Sequence, residues 1–456
     1  MRRVGSRIVP GLALLGFAAG AWFVSSRPFG APRPPNVVIV LIDTLRADHT
    51  SLYGYERDTT PFLRHLGGDG VLFEQARAQA SCTFPSVNSI LSGRHPSIFL
   101  GQPGGKLGFL ASVPTLQGVL HDAGYRTIAI SASTVVRKTP GPHNKIGGFD
   151  PGFDVFDEEC MKRRAGCIAE RSLAALPTDG TPFFLYAHFT DPHSPYSPAP
   201  AFERRFTQHG AAVRTWARRG DLGAVREFVR NGGPPVEPTP LEKDYLMGLY
   251  DEDILTVDDG IRRLIEGLEK RGLARRTVLV VMADHGEEFF ERGGVYHCTT
   301  TYDELVRTPL LLLAPGVGAG RVGVAVENLD VMPTVLEALG IDSSKLGLEG
   351  RSLLDLARRA ARSTPLAYSA QDVWRSVSDG RFKIVLNLKS GAAQLFDLTR
   401  DPGEKVDVAK EDRPNFRRLW AALEEHLQKT EGGVGNKKSL EAMEESMKQL
   451  RALGYL

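Results

Sequence analysis

The chain has 456 residues, enough for one large α/β domain with additions or for about three smaller domains. Its 56 basic and 54 acidic residues give a net charge of +2, which excludes nucleic-acid or acidic-membrane binding by bulk charge as the main role. A hydrophobic share of 42% excludes wholesale disorder, and four cysteines are too few to form the framework of so long a chain.

The first 35 residues predict export. Arg2, Arg3 and Arg7 precede an uncharged, mostly apolar run over 8–24, and a proline-rich linker follows it. Basic residues before such a run are typical of a signal segment, and the run is at the short edge for a membrane span. We therefore expect residues 1–35 to be a signal segment plus linker or, if uncleaved, a single N-terminal membrane anchor. The remaining chain is then periplasmic or extracellular.

Short apolar runs predict the strands of a doubly wound α/β sheet. The runs are continuous rather than alternating, which suits strands buried on both faces of a mostly parallel sheet. Helices are predicted between them, from Thr60-Pro61 to Gly67 and from about 251 to 270. Such sheets bind ligands beyond the carboxyl ends of their strands. The runs lie at 36–43, 126–132, 182–189, 277–283 and 310–314.

The alternation of strands and helices breaks at two places. The arginine-rich segment 202–230 is either a solvated helical insertion or a cap that attracts an anionic substrate. After about residue 350, runs at 373–388 and 394–398 predict a small antiparallel sheet, and 439–453 predicts an amphipathic helix. The expected domains are a catalytic domain over 36–345 with an inserted cap at 201–240, a C-terminal sheet subdomain over 346–410 and a helical tail over 411–456.

Acidic and imidazole side chains follow three of the predicted strands. Asp43 ends the first strand, His193 follows the third, and Asp284 and His285 follow the fourth. Because the carboxyl ends of parallel strands share one edge of the sheet, we expect these side chains to converge. Aspartate and histidine together form a mixed oxygen and nitrogen ligand set for one divalent metal ion. Calcium, manganese and zinc all remain open.

The segment SCTFPSVNSILSGR over 81–94 predicts a helix that starts near Pro85 and ends at Gly93. Thr83 then lies at the helix N-terminus, where free backbone N–H groups favour an anion. A hydroxyl in this place beside a divalent ion has the ingredients of a metal-activated nucleophile. On spacing alone, the alternative that Thr83 is a simple helix cap stays open.

Several segments occur together in a characteristic order, among them NVVIVLIDTLRADH, TFPSVNSILSGRHP, FTDPHSPYSP and MADHGEEF. In this order they resemble the sulfatase family of the alkaline phosphatase superfamily, from about residue 36 to 405. The resemblance implies a large α/β domain with a smaller C-terminal domain that contains a four-stranded sheet. It also implies a metal-dependent hydrolase of sulfate or phosphate esters, whose substrate is an anionic small molecule or polymer.

The chain departs from the family at the nucleophile. The family motif begins with cysteine or serine, and Pro85, Gly93 and Arg94 fix its register here so that Thr83 occupies the nucleophile position. Cys82 is one residue too early to become formylglycine. The resemblance therefore implies a threonine-nucleophile variant.

Three further family residues are replaced. The arginine of the nucleophile motif is Val87, the lysine that assists formylglycine sulfatases is Ala132, and the paired aspartates after the first strand are reduced to Asp43-Thr44. The remaining set resembles the one-metal arrangement of phosphoglycerol and phosphoethanolamine transferases in the same superfamily. By this resemblance the metal ligands are Asp43, Thr83, Asp284 and His285.

The implied reaction is a two-step displacement through Thr83, with His193 or His297 protonating the departing oxygen. A phospho-group transferase is the first alternative to a hydrolase. An exported binding protein that keeps the fold and metal without turnover is the second. The oligomeric state, the ester and the choice between sulfate and phosphate stay open.

Two cysteines lie next to residues of the site that the family resemblance implies. Cys82 precedes Thr83 and Cys298 follows His297, where related threonine-type members usually have tryptophan and glycine. Since neighbouring thiols pair in an oxidising compartment, we predict a disulfide between Cys82 and Cys298. A second, local disulfide is predicted between Cys160 and Cys167. The alternative is unrelated small buried residues.

Overall fold

The computed structural model describes residues 33–98, 108–160, 165–207, 212–358 and 365–431. The predicted signal or anchor segment and the predicted helix at 439–453 lie outside the described residues. None of the helices in the described part of the chain combines the length and apolar character that a membrane crossing requires.

The described residues form strands and helices that alternate over most of the chain. The strands are β1 Asn36–Ile42, β2 Val71–Arg77, β3 Arg126–Ser131, β4 Val155–Asp157, β5 Phe183–Phe189, β6 Thr277–Ala283, β7 Glu288–Phe289, β8 Val295–Tyr296, β9 Leu310–Leu313, β10 Gly320–Glu327, β11 Ala367–Gln371, β12 Trp374–Ser378, β13 Phe382–Asn387 and β14 Ala393–Asp397. The helices are α1 Pro61–Leu66, α2 Thr83–Ser92, α3 Leu116–Asp122, α4 Ala165–Ala175, α5 Thr215–Arg219, α6 Leu222–Arg230, α7 Pro240–Lys270, α8 Asp303–Val306, α9 Val331–Ala338, α10 Leu354–Ala357 and α11 Arg413–Glu431.

A sheet of eight strands in the order β10-β2-β9-β6-β1-β5-β3-β4 lies at the centre of the fold. All neighbours pair in parallel except β9, which is antiparallel to both β2 and β6. The predicted mostly parallel α/β sheet is confirmed. The apolar run of β9 gave no sign of its direction. The segment 284–309 that joins β6 to β9 contains the β7–β8 hairpin and α8.

Two hydrophobic cores cover the two faces of this sheet. Along β1, Val38, Val40 and Ile42 pack into one core, and Val37, Ile39 and Leu41 pack into the other. Helices α4 and α7 bury apolar residues in the first core, and α2 and α9 do so in the second. Burial on both faces explains why the strand reads as a continuous apolar run.

The long helix α7 begins earlier than predicted. The sequence places its start at about residue 251, whereas the structure has Pro240–Lys270. Thr239 and Glu242 form a capping box, with Pro240 in the first turn, and these residues specify the start. The other predicted boundaries hold better: α1 starts at Pro61, and α2 ends before Gly93, whose positive φ of 63° suits glycine.

The C-terminal sheet has four antiparallel strands in the order β11-β12-β13-β14, which confirms the predicted small antiparallel sheet. Helix α11 packs on it through Phe416, Leu419 and Trp420. Within the predicted 346–410 subdomain, however, Leu354 packs in a core of the large sheet. The described residues from Pro34 on belong to one compact unit, and the Ala370 N–H in β11 donates to the Gln79 carbonyl oxygen just after β2.

Candidate functional site

Strand register brings the predicted acidic residues together. Residue Ile42 at the end of β1 pairs with Ala283 at the end of β6, so the next residues, Asp43 and Asp284, leave the sheet side by side. Both side chains are buried. The predicted convergence of these strand-end residues is thus a direct consequence of the parallel pairing.

His285 completes a tight cluster with the two aspartates and Thr83. Its Nε2 atom lies 3.1 Å from Thr83 Oγ1, 3.5 Å from Asp284 Oδ2 and 3.8 Å from Asp43 Oδ1. The Nδ1–H of His285 donates to the carbonyl oxygen of Gly286 at 2.9 Å, which leaves the Nε2 lone pair directed at the cluster. The four predicted ligand residues therefore surround one point.

The sequence analysis missed His188, which also belongs to this cluster. His188 lies in β5 and is fully buried, and its Nε2 atom is 3.8 Å from Asp43 Oδ2. Ligand atoms of Asp43, His188 and Asp284 all lie within 4.8 Å of one another. The sequence feature that could have identified His188 is a single imidazole in a strand whose other residues are apolar or aromatic.

The donor set fits a divalent cation. Two fully buried atoms at its centre, His188 Nε2 and Asp284 Oδ2, have no hydrogen-bond partner among the described residues. Such atoms are costly when buried and unmatched. Burial raises the pKa of Asp284 to about 7, and burial with the nearby His285 lowers the pKa of His188 to about 3. A cation would favour the carboxylate and the neutral imidazole that ligation requires.

Thr83 is the first residue of α2, and Cys82 is the N-cap with extended backbone. The Thr83 hydroxyl contacts His285 rather than a backbone amide of α2. Thr83 is therefore not a simple helix cap, the alternative that the sequence left open. The Ser86 hydroxyl donates to the Asp284 carbonyl oxygen at 2.5 Å and joins the first turn of α2 to the end of β6. The helix N-terminus, which favours anions, therefore faces the cluster.

Two further histidines lie above the cluster. His297 follows β8 and donates from Nδ1 to the buried carboxylate of Glu287 at 2.8 Å. His193 donates from Nδ1 to the Ser194 carbonyl oxygen at 2.6 Å, and its Nε2 is 3.2 Å from the Tyr296 hydroxyl. The ring centre of His297 is 4.7 Å from that of His285 and 4.9 Å from that of His193. Both predicted histidines thus join the site.

Both predicted disulfides are present. Cys82 and Cys298 are bonded, with Cα atoms 4.7 Å apart across 216 positions of sequence. Beside this bond, the Cys298 N–H donates to the Ser81 carbonyl oxygen at 2.7 Å. Cys160 and Cys167 form the local pair, with Cα atoms 5.8 Å apart. The first disulfide joins the nucleophile turn directly to the loop that contains His297.

A cavity of about 980 Å³ opens over these groups. Asp43, Thr83, His193 and His297 line it, while Asp284 and His285 are fully buried. Ala132 also lines the cavity, so the position of the absent family lysine faces the site. Val87, at the position of the motif arginine, instead packs in a hydrophobic core.

Helix α6 forms part of the cavity wall. Arg226 and Arg230 line the cavity, and Arg226 Nη1 donates to the His297 carbonyl oxygen at 2.9 Å. The guanidinium of Arg226 also lies over the Tyr296 ring, 5.6 Å from its centre. Burial and the charge of Arg230 lower the pKa of Arg226. The acidic Glu227 on the same helix gives this wall a mixed charge.

Comparisons with known proteins agree with this architecture. The family model described as Sulfatase matches residues 35–341. The chain is 26% identical to steryl-sulfatase from Mus musculus over 86% of this chain and 81% of that protein. It is 24% identical to arylsulfatase A from Homo sapiens, over 88% and 86% respectively. The solved phosphonate monoester hydrolase SpPMH from Silicibacter pomeroyi has a TM-score of 0.70 at 22% identity, covering 87% of this chain and 96% of that chain, so the fold is shared.

Proposed function

The chain belongs to the sulfatase family and is an ester hydrolase by class, and we propose that it cleaves sulfate or phosphate esters by a two-step displacement through Thr83. The observation that carries the proposal is the placement of the Thr83 hydroxyl. It lies at the N-terminus of α2, 3.1 Å from His285 Nε2, and faces the cavity. Cys82 is bonded to Cys298 and cannot serve as a formylglycine precursor in this state.

Asp43, Asp284, His285 and Thr83 would hold one divalent metal ion. The Nε2 atom of His285 is 3.1 to 3.8 Å from oxygens of the other three residues, a spacing expected of ligands that share one ion. When bound, the ion supplies Lewis-acid stabilisation of negative charge and lowers the pKa of a bound hydroxyl.

In the first step Thr83 Oγ1 attacks sulfur or phosphorus in line. A bond forms to Oγ1, the bond to the ester oxygen breaks, and the hydroxyl proton passes to solvent. The first-turn N–H groups of α2 stabilise charge on the non-bridging oxygens. In the second step water attacks the transferred group, the bond to Thr83 Oγ1 breaks, sulfate or phosphate leaves, and Oγ1 regains a proton from solvent.

His297 is the better placed of the two candidate acids. Its hydrogen bond to buried Glu287 fixes the ring and stabilises the protonated imidazole, as a carboxylate partner does in other acid–base pairs. His193 instead donates to a neutral carbonyl and faces the Tyr296 hydroxyl. We propose that His297 protonates the departing oxygen and then accepts a proton from the attacking water, while His193 contacts the transferred group.

The substrate is proposed to be an anionic ester that enters between α6 and the loop after β5. Arg226 and Arg230 supply positive charge on the cavity wall, and the volume of about 980 Å³ admits a substrate larger than a simple aryl ester. The curated relatives are named for sulfate esters, which supports a sulfate ester first. The threonine nucleophile keeps a phosphate ester as the second candidate.

The test is turnover with a panel of aryl sulfates, aryl phosphates and phosphodiesters, followed by intact-protein mass spectrometry. We expect release of the aryl alcohol and a covalent sulfuryl or phosphoryl adduct that peptide mapping places on Thr83. Accurate mass distinguishes the two groups, and Thr83→Ala is the control that forms no adduct. An adduct on another residue would overturn the assignment.

The same experiment separates the alternatives. Transfer to an added alcohol in preference to water would indicate a transferase. Binding of the esters without turnover, by metal-loaded protein, would indicate a binding protein that keeps the fold. We also propose export to an oxidising compartment, which two disulfides and the N-terminal sequence support. Location of the mature protein by fractionation tests that proposal.

A further inference from the structure

The position of His188 in the sheet is unusual for an imidazole. It lies in β5, where it pairs in register with Leu41 of β1 on one side and Ser131 of β3 on the other. On the same face of β5, Phe184 and Tyr186 fill a hydrophobic core. His188 continues that row at the carboxyl end of the strand and is fully buried. Packing alone would be served by an apolar residue.

The Nε2 atom of His188 points at the two buried aspartates. It lies 3.8 Å from Asp43 Oδ2, which is too long for a hydrogen bond. Neither His188 Nε2 nor Asp284 Oδ2 has a hydrogen-bond partner within the described residues. Ligand atoms that are each about 2.1 Å from one metal ion lie roughly 3 to 4 Å apart, so this spacing is that of two ligands with an ion between them.

The other ring nitrogen of His188 has a hydrogen-bond partner, as that of a metal-binding histidine usually does. Nδ1 lies 3.0 Å from the hydroxyl of Tyr186, two residues earlier on the same strand face. When Nδ1–H donates to this oxygen, the Nε2 lone pair is left for the cluster, and the ring orientation is fixed. The strand itself thus supplies both the imidazole and the group that orients it.

We propose that His188 Nε2 is a further ligand of the divalent ion held by Asp43, Asp284 and His285, and that the site therefore selects zinc over calcium. The inference rests on the proposed function, since that function places the ion. Calcium takes six to eight oxygen ligands, whereas imidazole nitrogen favours zinc and similar ions. Two imidazoles beside the oxygen ligands make a mixed nitrogen and oxygen set that calcium does not prefer.

The test is a metal titration of the full chain after removal of metal with a chelator. Cobalt(II) serves as the spectroscopic probe for zinc, and calcium is added as a competitor. We expect the wild-type protein to show cobalt absorption bands that zinc abolishes and that millimolar calcium leaves in place. In His188→Asn, which replaces the nitrogen with an amide oxygen, we expect cobalt affinity to fall about tenfold or more, the bands to shift, and calcium to compete.

The matched control is His95→Asn. His95 is another buried histidine of the same chain, but it contacts His426 and Glu349 rather than the cluster. We expect its cobalt spectrum and affinity to match the wild type. Unchanged cobalt bands, affinity and calcium competition in His188→Asn would overturn the proposal.

A crystal structure of the zinc-loaded wild-type protein keeps the proposal testable if His188→Asn does not fold. We expect the ion about 2.0 to 2.1 Å from His188 Nε2. An ion bound by the two aspartates and His285 but more than about 3 Å from His188 would refute the inference and leave the proposed function intact. Wild-type protein that binds no divalent ion would overturn both.

Discussion

The two walls of the site are built in different ways. The strand-end wall consists of Asp43, which lines the cavity, and of the fully buried His188, Asp284 and His285. The loop wall consists of His193, Arg226, Tyr296 and His297. The residues of the first wall lie in or directly after parallel strands, so sheet register sets their spacing. Those of the second lie in loops, a two-residue strand and a short helix.

The loop wall is instead held by specific cross-links. The Cys82–Cys298 disulfide, the hydrogen bond of Glu287 to His297 and that of Arg226 to the His297 carbonyl each restrain it. Sheet pairing is cooperative and positions groups without such links, whereas loops need them. We therefore expect the strand-end wall to determine whether the chemistry occurs and the loop wall to determine which ester reacts and how fast.

The largest expected effect is at Thr83, where the walls meet. We expect Thr83→Ala to lower kcat by about a thousandfold or more, because it removes the nucleophile itself. Thr83→Ser keeps a hydroxyl and should retain measurable turnover. Steady-state kinetics with an aryl ester, together with circular dichroism to confirm folding, measures this. Equal kcat values for the alanine variant and the wild type would remove Thr83 from the mechanism.

Substitutions in the two walls should differ in their effect on metal content. We expect Asp284→Asn to weaken metal binding at least about tenfold, because it removes a ligand, whereas His297→Asn should slow turnover and leave metal content unchanged. Occupancy of the wild type should fall as the pH drops from 8 to 5, since burial raises the pKa of Asp284 to about 7 and its protonated carboxyl does not bind a cation. Elemental analysis after dialysis measures both. Full occupancy in Asp284→Asn would contradict the ligand assignment.

Removal of the long-range disulfide should loosen the loop wall. We expect the double variant Cys82→Ser/Cys298→Ser to lose about 3- to 10-fold in kcat, because the loop that contains His297 is no longer bonded to the turn that contains Thr83. On the chain-entropy model its unfolding free energy should fall by up to about 5 kcal/mol, against about 2 kcal/mol for the shorter loop of Cys160→Ser/Cys167→Ser.

The second pair is the matched control, because it leaves the cavity untouched and should keep wild-type kcat. Kinetics and urea unfolding of both double variants test the comparison. Equal losses of activity in the two would show that the long-range disulfide has no special role at the site. Formylglycine at position 82 in peptide maps would contradict the account of the nucleophile.

The smallest effect is expected at Arg226. We expect Arg226→Gln to raise KM for an anionic ester by about two- to threefold with a smaller change in kcat, because it removes a charge that binds the substrate. Arg218→Gln, on α5 and outside the cavity lining, is the control. The difference in KM between Arg226→Gln and the wild type should shrink at high ionic strength, because salt screens the attraction between charges. A KM that is unchanged in Arg226→Gln at low salt would remove α6 from substrate binding.

Most of the strand-end wall could be predicted from sequence, and the reason is the sheet. Asp43, Asp284 and His285 directly follow continuous apolar runs, and the ends of parallel strands converge by construction. His188 was not predicted as a site residue, because it lies inside the apolar run 182–189 and looks like part of a buried strand. The reversed direction of β9 escaped as well, since an apolar run carries no information on strand direction.

The loop wall was predictable only in part. The resemblance to a family implied His193 and His297, and the paired departures at Cys82 and Cys298 predicted their disulfide. The carboxylate partner of His297 could not be identified, because Glu287 lies beside Glu288, both are buried, and nothing local says which of the two contacts His297. The early start of α7 could have been predicted from Thr239 and Glu242, which have the spacing of a capping box.

The sequence by itself determined the local features: the apolar strands, the ends of α1 and α2, the residues at strand ends and the threonine in place of cysteine. Each depends on side chains within a few positions of one another, which a linear pattern records. The tertiary structure alone decided the contacts between distant segments: His188 beside Asp43, Glu287 against His297, and Arg226 above the site. The first contact depends on strand register, and the other two depend on how the loops and α6 pack over the sheet. Neither is fixed until segments far apart in sequence come together.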